Sequence, residues 1–384
     1  MAEATWSYPT RILFGSGAVG DVGKEARALG LKRVLIVSDP GVTRAGMVSP
    51  VERALISASV ECSVFDAIST NPSEAEARAA AKAYTDAKAD GVVGVGGGAA
   101  LDVAKIVRVL VSETGSLEEY DDAIGGDAKL KGVFPPMIAI PTTAGTGSEV
   151  GRSGVVTLAS SGKKTIIFHP KLIPNVAVLD PRMTESLPPH ITAATGFDAL
   201  THCIEAYLAK GDHPMADAIA FKGIQLCGKY LERAVKSPHD LDARGAMLKA
   251  SMMGAVAFQK GLGVCHSLAH PLGAEHNLHH GLANAICLPA VLDFNRSAVQ
   301  ARIADVARAL GVRGADEDTL AFECAGAVRA LRHKVGLPEG LRAQGITDKD
   351  IPKLAKLAFE DGCHGGNPRA ASEQDMEQLY RVSM

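Results

Sequence analysis

Apolar residues in the first half of the chain come in short runs separated by amphipathic stretches. Residues 33–38, RVLIVS, form a β-branched run of the kind that marks a strand buried on both faces. Residues 91–95, GVVGV, and 136–141, PMIAIP, repeat that signature, and 8–17 and 61–65 read as two further strands. Helical periods lie between them, at 19–29, 51–58, 74–87 and 99–111. Ser73, after Asn71-Pro72, is placed to cap the third of these, and Asp39-Pro40-Gly41 reads as a turn closing the strand 33–38. Strands alternating with helices at this spacing predict a parallel, doubly wound sheet.

The pattern changes after Asp180-Pro181. From Pro188 onward strand candidates are few, and residues 215–235, 243–258, 299–310, 318–335 and 348–360 carry helical periods rich in Ala, Leu and Met. The expected division is an α/β domain over 1–185 and an all-helical domain over 186–384. No internal repeat or low-complexity tract interrupts either.

Composition narrows the function. A length of 384 residues allows two domains and a large core. A net charge of −3 offers no electrostatic footprint for nucleic acid or an anionic membrane, and no window is apolar and long enough to span a bilayer. The opening segment MAEATWSYPT lacks the basic and apolar regions of a secretory signal. Seven dispersed cysteines without a C-x-x-C suit reduced thiols, so a cytoplasmic protein is expected.

Two clusters carry candidate chemistry. Asp198 and His202 are four apart, as are His266 and His270, and His276, His279 and His280 follow closely. On helices that spacing stacks side chains one turn apart on a common face. A carboxylate and several imidazoles suit one divalent cation, although an isolated Asp-x-x-x-His is more often a surface pair or a helix cap. Gly94-x-Gly96-x-x-Ala99 joins a strand to a helix in the loose dinucleotide pattern, where glycines let backbone N–H groups approach a pyrophosphate. A second loop, 142–148, offers four hydroxyls among small residues after a strand. Asp39, at a strand end, could accept bonds from an adenosine ribose and repel a 2′-phosphate, favouring NAD; the alternative is a turn or capping residue.

The motifs GGGAALDVAK (96–105), PTTAGTGSEV (141–150), ATGFDALTHCIEAYL (194–208) and GLGVCHSLAHPLGAEHNLHHGLANAICLPAV (261–291) together resemble the iron-containing, or group III, alcohol dehydrogenases. The resemblance runs from about 11 to 369. It implies the fold shared with dehydroquinate synthases: an N-terminal nucleotide domain, a C-terminal helical domain and an active site in the cleft between. It implies Fe2+ or Zn2+ held by Asp198, His202, His266 and His280, with His270 near the nicotinamide. It places NAD at Asp39, Asn71, Gly97, Gly98, Asp102, Thr142, Thr143 and Lys164. His276 and His279 match no ligand position. Within the family, GSEVGRS (147–153), MMGAVAFQKGLG (252–263) and CHGGNPR (363–369) look most like enzymes interconverting 4-hydroxybutyrate and succinic semialdehyde; the alternative is a general short-chain alcohol, lactaldehyde or 1,3-propanediol dehydrogenase. Arg152, which directly follows a cofactor loop, is the best candidate to receive a remote carboxylate and Lys260, His364 and Arg369 are weaker ones; each is more often a structural ion pair or a solvated side chain. A homodimer or larger homo-oligomer is the family expectation. The rivals are a metal-dependent lyase of the dehydroquinate synthase type, a metal-free maleylacetate-type reductase and a non-enzymatic metal-binding protein.

Overall fold

The computed structural model describes residues 8, 11–131, 133–314 and 316–384. The segment 1–7, with part of the 8–17 strand prediction, lies outside the described residues. The chain divides into two compact units: Tyr8–Thr143 with Gly147–Ser186, and Leu187–Met384 with the short segment Ala144–Thr146.

The first unit runs β1 (Arg11–Phe14), α1 (Val22–Ala28), β2 (Arg33–Val37), α2 (Pro40–Arg44), α3 (Val48–Ser57), β3 (Glu61–Phe65), α4 (Glu74–Asp86), β4 (Gly91–Gly96), α5 (Gly98–Leu110), β5 (Met137–Pro141), β6 (Ser153–Thr157), β7 (Lys164–Phe168) and β8 (Val176–Leu179). Six strands form a wholly parallel sheet in the order β1-β8-β5-β4-β2-β3. Alternation along β2 explains the unbroken apolar run. Leu35 and Val37 enter the core on one face, with Val103 and Ile106 of α5. Val34 and Ile36 enter the other, with Val22 of α1 and Val51 and Leu55 of α3.

Local chemistry sets the helix starts. The Ser73 hydroxyl accepts from the Glu76 N–H while the Glu76 carboxylate accepts from the Ser73 N–H, a reciprocal cap on α4. Asp39-Pro40-Gly41 is not a plain turn but the entry to α2. Asp39 is extended, Pro40 supplies a helical φ, and Asp39 Oδ1 accepts from the Gly41 and Val42 N–H groups at 2.8 and 3.0 Å. The β6–β7 hairpin escaped the sequence reading because its two five-residue strands alternate weakly within a hydroxyl- and lysine-rich stretch.

The second unit is helical: α6 (Pro189–Leu208), α7 (Pro214–Lys236), α8 (Leu241–Ala257), α9 (Val264–His276), α10 (His280–Asn295), α11 (Gln300–Ala309), α12 (Glu317–Lys334), α13 (Ile351–Glu360) and α14 (Glu373–Val382). The last was not foreseen; a cap between Ser372 and Asp375 starts it. α6 is the central helix, buried along most of its length. Small residues let its neighbours approach. A Cβ on Gly254 of α8 would lie 2.9 Å from His202 Cβ, and one on Gly281 of α10 would lie 2.0 Å from the Ala194 carbonyl oxygen. No helix among the described residues is long and apolar enough to cross a membrane.

The Gly281 contact yields a stability prediction. Gly281→Ala drives a methyl into backbone that has no rotamer to yield, so α10 must shift off α6. The expected loss is about 1–3 kcal/mol in urea unfolding. An unchanged midpoint would mean that the two helices do not meet as closely as described.

Candidate metal centre and nucleotide turn

α6, α9 and α10 each bring part of one cluster. Asp198 and His202 lie one turn apart on α6, His266 lies in the first turn of α9, and His280 opens α10. Asp198 Oδ1 is 3.9 Å from His202 Nε2, 3.9 Å from His266 Nε2 and 3.3 Å from His280 Nε2. Ligand atoms of Asp198, His202 and His266 all lie within 4.8 Å of one another. Three imidazole nitrogens around one carboxylate oxygen form a tetrahedral-type N/O donor set, so the residues fit a divalent cation.

The environment pre-sets the donors. Burial would raise the Asp198 pKa, but the surrounding His202, His280 and His266 hold it well below the ordinary carboxylate range. Burial pushes His202 down to about 4 and His266 well below its ordinary value, so both imidazoles are neutral, the form in which an imidazole can bind a metal. His266 Nδ1 meets Glu205 Oε2 at 2.5 Å, and Glu205 Oε1 accepts from the Cys265 N–H at 2.7 Å. This contact turns the His266 Nε2 lone pair toward Asp198. Burial raises Glu205 to about 7. Asn284 donates from Nδ2 to Asp198 Oδ1 at 2.9 Å, with His280 Nε2 3.2 Å away.

Glu205 and Asn284 were missed in the sequence, although a signal existed. Asp198, His202 and Glu205 follow i, i+4, i+7 spacing, and His280 and Asn284 are again four apart. His276 ends α9 and His279 is the N-cap residue of α10, so both flank the cluster. His270 Nδ1 meets Asp361 Oδ2 at 2.8 Å, and its ring stacks on His280 with centroids 5.4 Å apart. Asp361 comes from the far end of α13, and no spacing in the sequence announces the contact.

The nucleotide turn is built in the other unit. Gly94 lies against α5: a Cβ there would meet Leu101, Ala104 and Met137 at 2.9–3.1 Å. Gly96 has φ +155, and a Cβ on it would sit 2.7 Å from Ala100 and 3.3 Å from Asp39 Oδ2. Asp39 therefore takes the capping role weighed for it through Oδ1, while Oδ2 lies beside Gly96. Gly97 precedes α5 without a side-chain cap, leaving the first N–H groups of Gly98 and its neighbours for an anion. Thr143 adjoins Gly97, and the Thr142 N–H bonds the Gly96 carbonyl at 2.9 Å. Lys164 Nζ donates to Asn71 Oδ1 at 2.6 Å, bringing together two predicted cofactor residues.

Asp102, also a predicted cofactor residue, is engaged within its own unit. Its Oδ1 accepts from Ser148 Oγ at 2.6 Å and its Oδ2 from the Val155 N–H at 3.2 Å, while the buried Lys105 ammonium donates to Ser148 and to the Ser153 carbonyl. The carboxylate therefore ties α5 to the loop after β5 and to β6. Glu149, buried beside this network, is raised to about 7.

The four substrate candidates separate. Lys260 is taken up by Asp217 and the Tyr207 carbonyl, which corrects its assignment as a carboxylate receptor; its ammonium is almost fully buried in that pair. Arg369 lies over the Phe294 ring and donates to the Phe294 carbonyl. His364 stacks on Phe359. Arg152 rests over Phe168, 5.4 Å from its ring centre, and makes no ion pair among the described residues.

Residues 9–181 match the family described as iron-containing alcohol dehydrogenase, and residues 192–384 match the C-terminal part of the Fe-containing alcohol dehydrogenase family. The 4-hydroxybutyrate dehydrogenase of Cupriavidus necator is 41% identical, with 98% of this chain and 99% of that protein covered. A crystal structure of 1,3-propanediol oxidoreductase superposes with TM-score 0.96 at 34% identity, over 99% of this chain and 100% of that one. The sulfoacetaldehyde reductase of Bifidobacterium kashiwanohense, solved in complex with NAD+, gives TM-score 0.89 at 31% identity, over 100% and 99%. Matched along nearly its whole length, this chain belongs to the iron-containing alcohol dehydrogenase family and is an oxidoreductase acting on an alcohol.

Proposed function

We propose that the protein interconverts 4-hydroxybutyrate and succinic semialdehyde with NAD and a divalent metal, Fe2+ by family and Zn2+ by donor type alone. The observation carrying the metal reading is the Asp198 carboxylate ringed by the Nε2 atoms of His202, His266 and His280. When bound, the metal acts as a Lewis acid on the substrate oxygen and NAD accepts the hydride.

The chain's own residues supply the rest. Glu205 fixes the tautomer of His266, and Asn284 steadies Asp198. With Nδ1 turned to Asp361, His270 has Nε2 available to take the hydroxyl proton, and the Asp361 carboxylate stabilises the imidazolium that results. Gly97 and Gly98 receive the pyrophosphate at the α5 N-terminus, Asp39 Oδ2 and Thr142–Thr143 border it, and Asn71 with Lys164 takes a ribose. Asp102 acts by holding the 142–148 loop. The similarity to 4-hydroxybutyrate dehydrogenase and the unpaired Arg152 guanidinium support a substrate with a remote carboxylate.

A panel of ω-hydroxy acids and plain alcohols with NAD, run with iron, zinc or chelator, tests the reading. 4-Hydroxybutyrate is expected to give the highest kcat/KM. Preference for 1,3-propanediol would favour the general short-chain alternative, for which the 1,3-propanediol oxidoreductase likeness speaks. Arg152→Ala should lower kcat/KM for the hydroxy acid about 10- to 100-fold, the worth of a charged hydrogen bond, and leave plain alcohols nearly unaffected. Equal losses on both would remove Arg152 from carboxylate recognition.

Asp198→Ala and His266→Ala should each abolish turnover and metal retention while NADH binding, followed by fluorescence, stays largely intact. Near-normal rates from metal-depleted variants would refute the ligand set.

Acid should weaken the metal-free protein through His202. Its pKa is about 4 when folded and near the ordinary 6.5 when unfolded, so the unfolded chain binds the proton first and stability drains as pH falls from 6.5 toward 4. Glu205 and Glu149, raised when folded, act in the opposite sense. The measurable quantity is therefore a difference: between pH 6.5 and 4, Tm of the metal-free wild type should fall further than that of His202→Asn. Parallel curves would contradict this.

A further inference from the structure

Beside the centre already described lies a second group of unlike donors. His270 on α9, Asp361 at the end of α13 and Cys363 in the 3-10 turn Gly362–Gly366 each offer one ligand atom, and the three atoms lie within 4.8 Å of one another. We propose that these residues form a separate site for a thiophilic divalent cation of the zinc and cadmium class.

Three observations carry it. Asp361 is fixed before any ion arrives: Oδ1 accepts from Ser267 Oγ at 2.8 Å and from the Cys363 N–H at 2.9 Å, and Oδ2 faces His270 Nδ1. The side chains of His270 and Asp361 are 39% and 21% exposed, so an ion has a path in from water. The donor types also differ from those of the neighbouring centre. A thiolate, an imidazole and a carboxylate select a borderline-soft cation, with water completing a fourth position, whereas the Asp198 cluster contains no sulfur. On binding, the Cys363 S–H bond gives way to a sulfur–metal bond and that proton leaves to solvent, while the His270 Nδ1 proton moves to Nε2 so that the Nδ1 lone pair binds the metal in place of the hydrogen bond to Asp361, which takes Nε2 out of its proton-accepting role while the ion is bound. The stacking of His270 on His280 makes the two sites neighbours within one unit.

The iron-loaded full chain, titrated with Cd2+, tests the proposal by a readout independent of turnover. One equivalent of cadmium should bind with the iron retained, and a thiolate-to-cadmium charge-transfer band should appear in the ultraviolet. Cys363→Ser, nearly isosteric, should lose the band and weaken binding at least about tenfold. Asp361→Asn, which keeps the shape, should keep the band but bind more weakly. Loss of iron as cadmium enters, or an unchanged band in Cys363→Ser, would overturn the proposal. Either result would leave the alcohol dehydrogenase reading standing, because neither measurement involves NAD or an alcohol.

Discussion

Burial of the Asp198 carboxylate is the constraint around which the helical unit is arranged. An ionised carboxylate away from water is expensive unless opposite charge and hydrogen bonds surround it. The fold supplies Asn284 as a donor and sets His202, His266 and His280 around the same oxygen, and burial keeps the first two neutral. Neutral imidazoles bring lone pairs rather than protons to the same oxygen. A divalent cation would find its donors already gathered there, so the same packing that buries the carboxylate assembles the donor set.

That need explains the unusual make-up of α6. A helix buried nearly all round leaves little polar face, so its functional groups fall on the single line Asp198, His202, Glu205. The first two face the cation position. Glu205 instead orients His266 from the next helix, and its raised pKa marks how fully it is withdrawn from solvent. Glycines at 254 and 281 bring the neighbouring helices close enough for their side chains to meet that line. The site is therefore as much a matter of missing methyl groups as of ligands.

Much of the fold was legible in the sequence. Strands buried on both faces, such as β2 and β5, announce themselves by unbroken apolar runs, and the more exposed edge strand β3 was also placed at its observed limits. Long amphipathic helices such as α7 and α12 were found to within one or two residues. The β6–β7 hairpin was not, since short strands with half-exposed faces resemble loop. In the site, residues sharing a helix face were visible through their spacing. Asp361, which meets His270 only through tertiary packing, was not, and neither was Asp217, which lies 43 positions before Lys260 and forms the structural ion pair that stood as its alternative. Asp39 shows that a capping role can leave half a carboxylate uncommitted: one oxygen caps α2 and the other lies beside Gly96.

The segment Ala144–Thr146 belongs by packing to the helical unit, although the chain on either side of it belongs to the sheet, and Gly145 fits against Thr195 only because it lacks a side chain. A unit completed by a detour of the chain is not a cassette. Spliced end to end onto another polypeptide, the helical half would lack the Ala144–Thr146 segment that packs with it. Recombination among relatives is then expected to exchange whole genes, or to cut inside the sheet, rather than trade the helical half by itself.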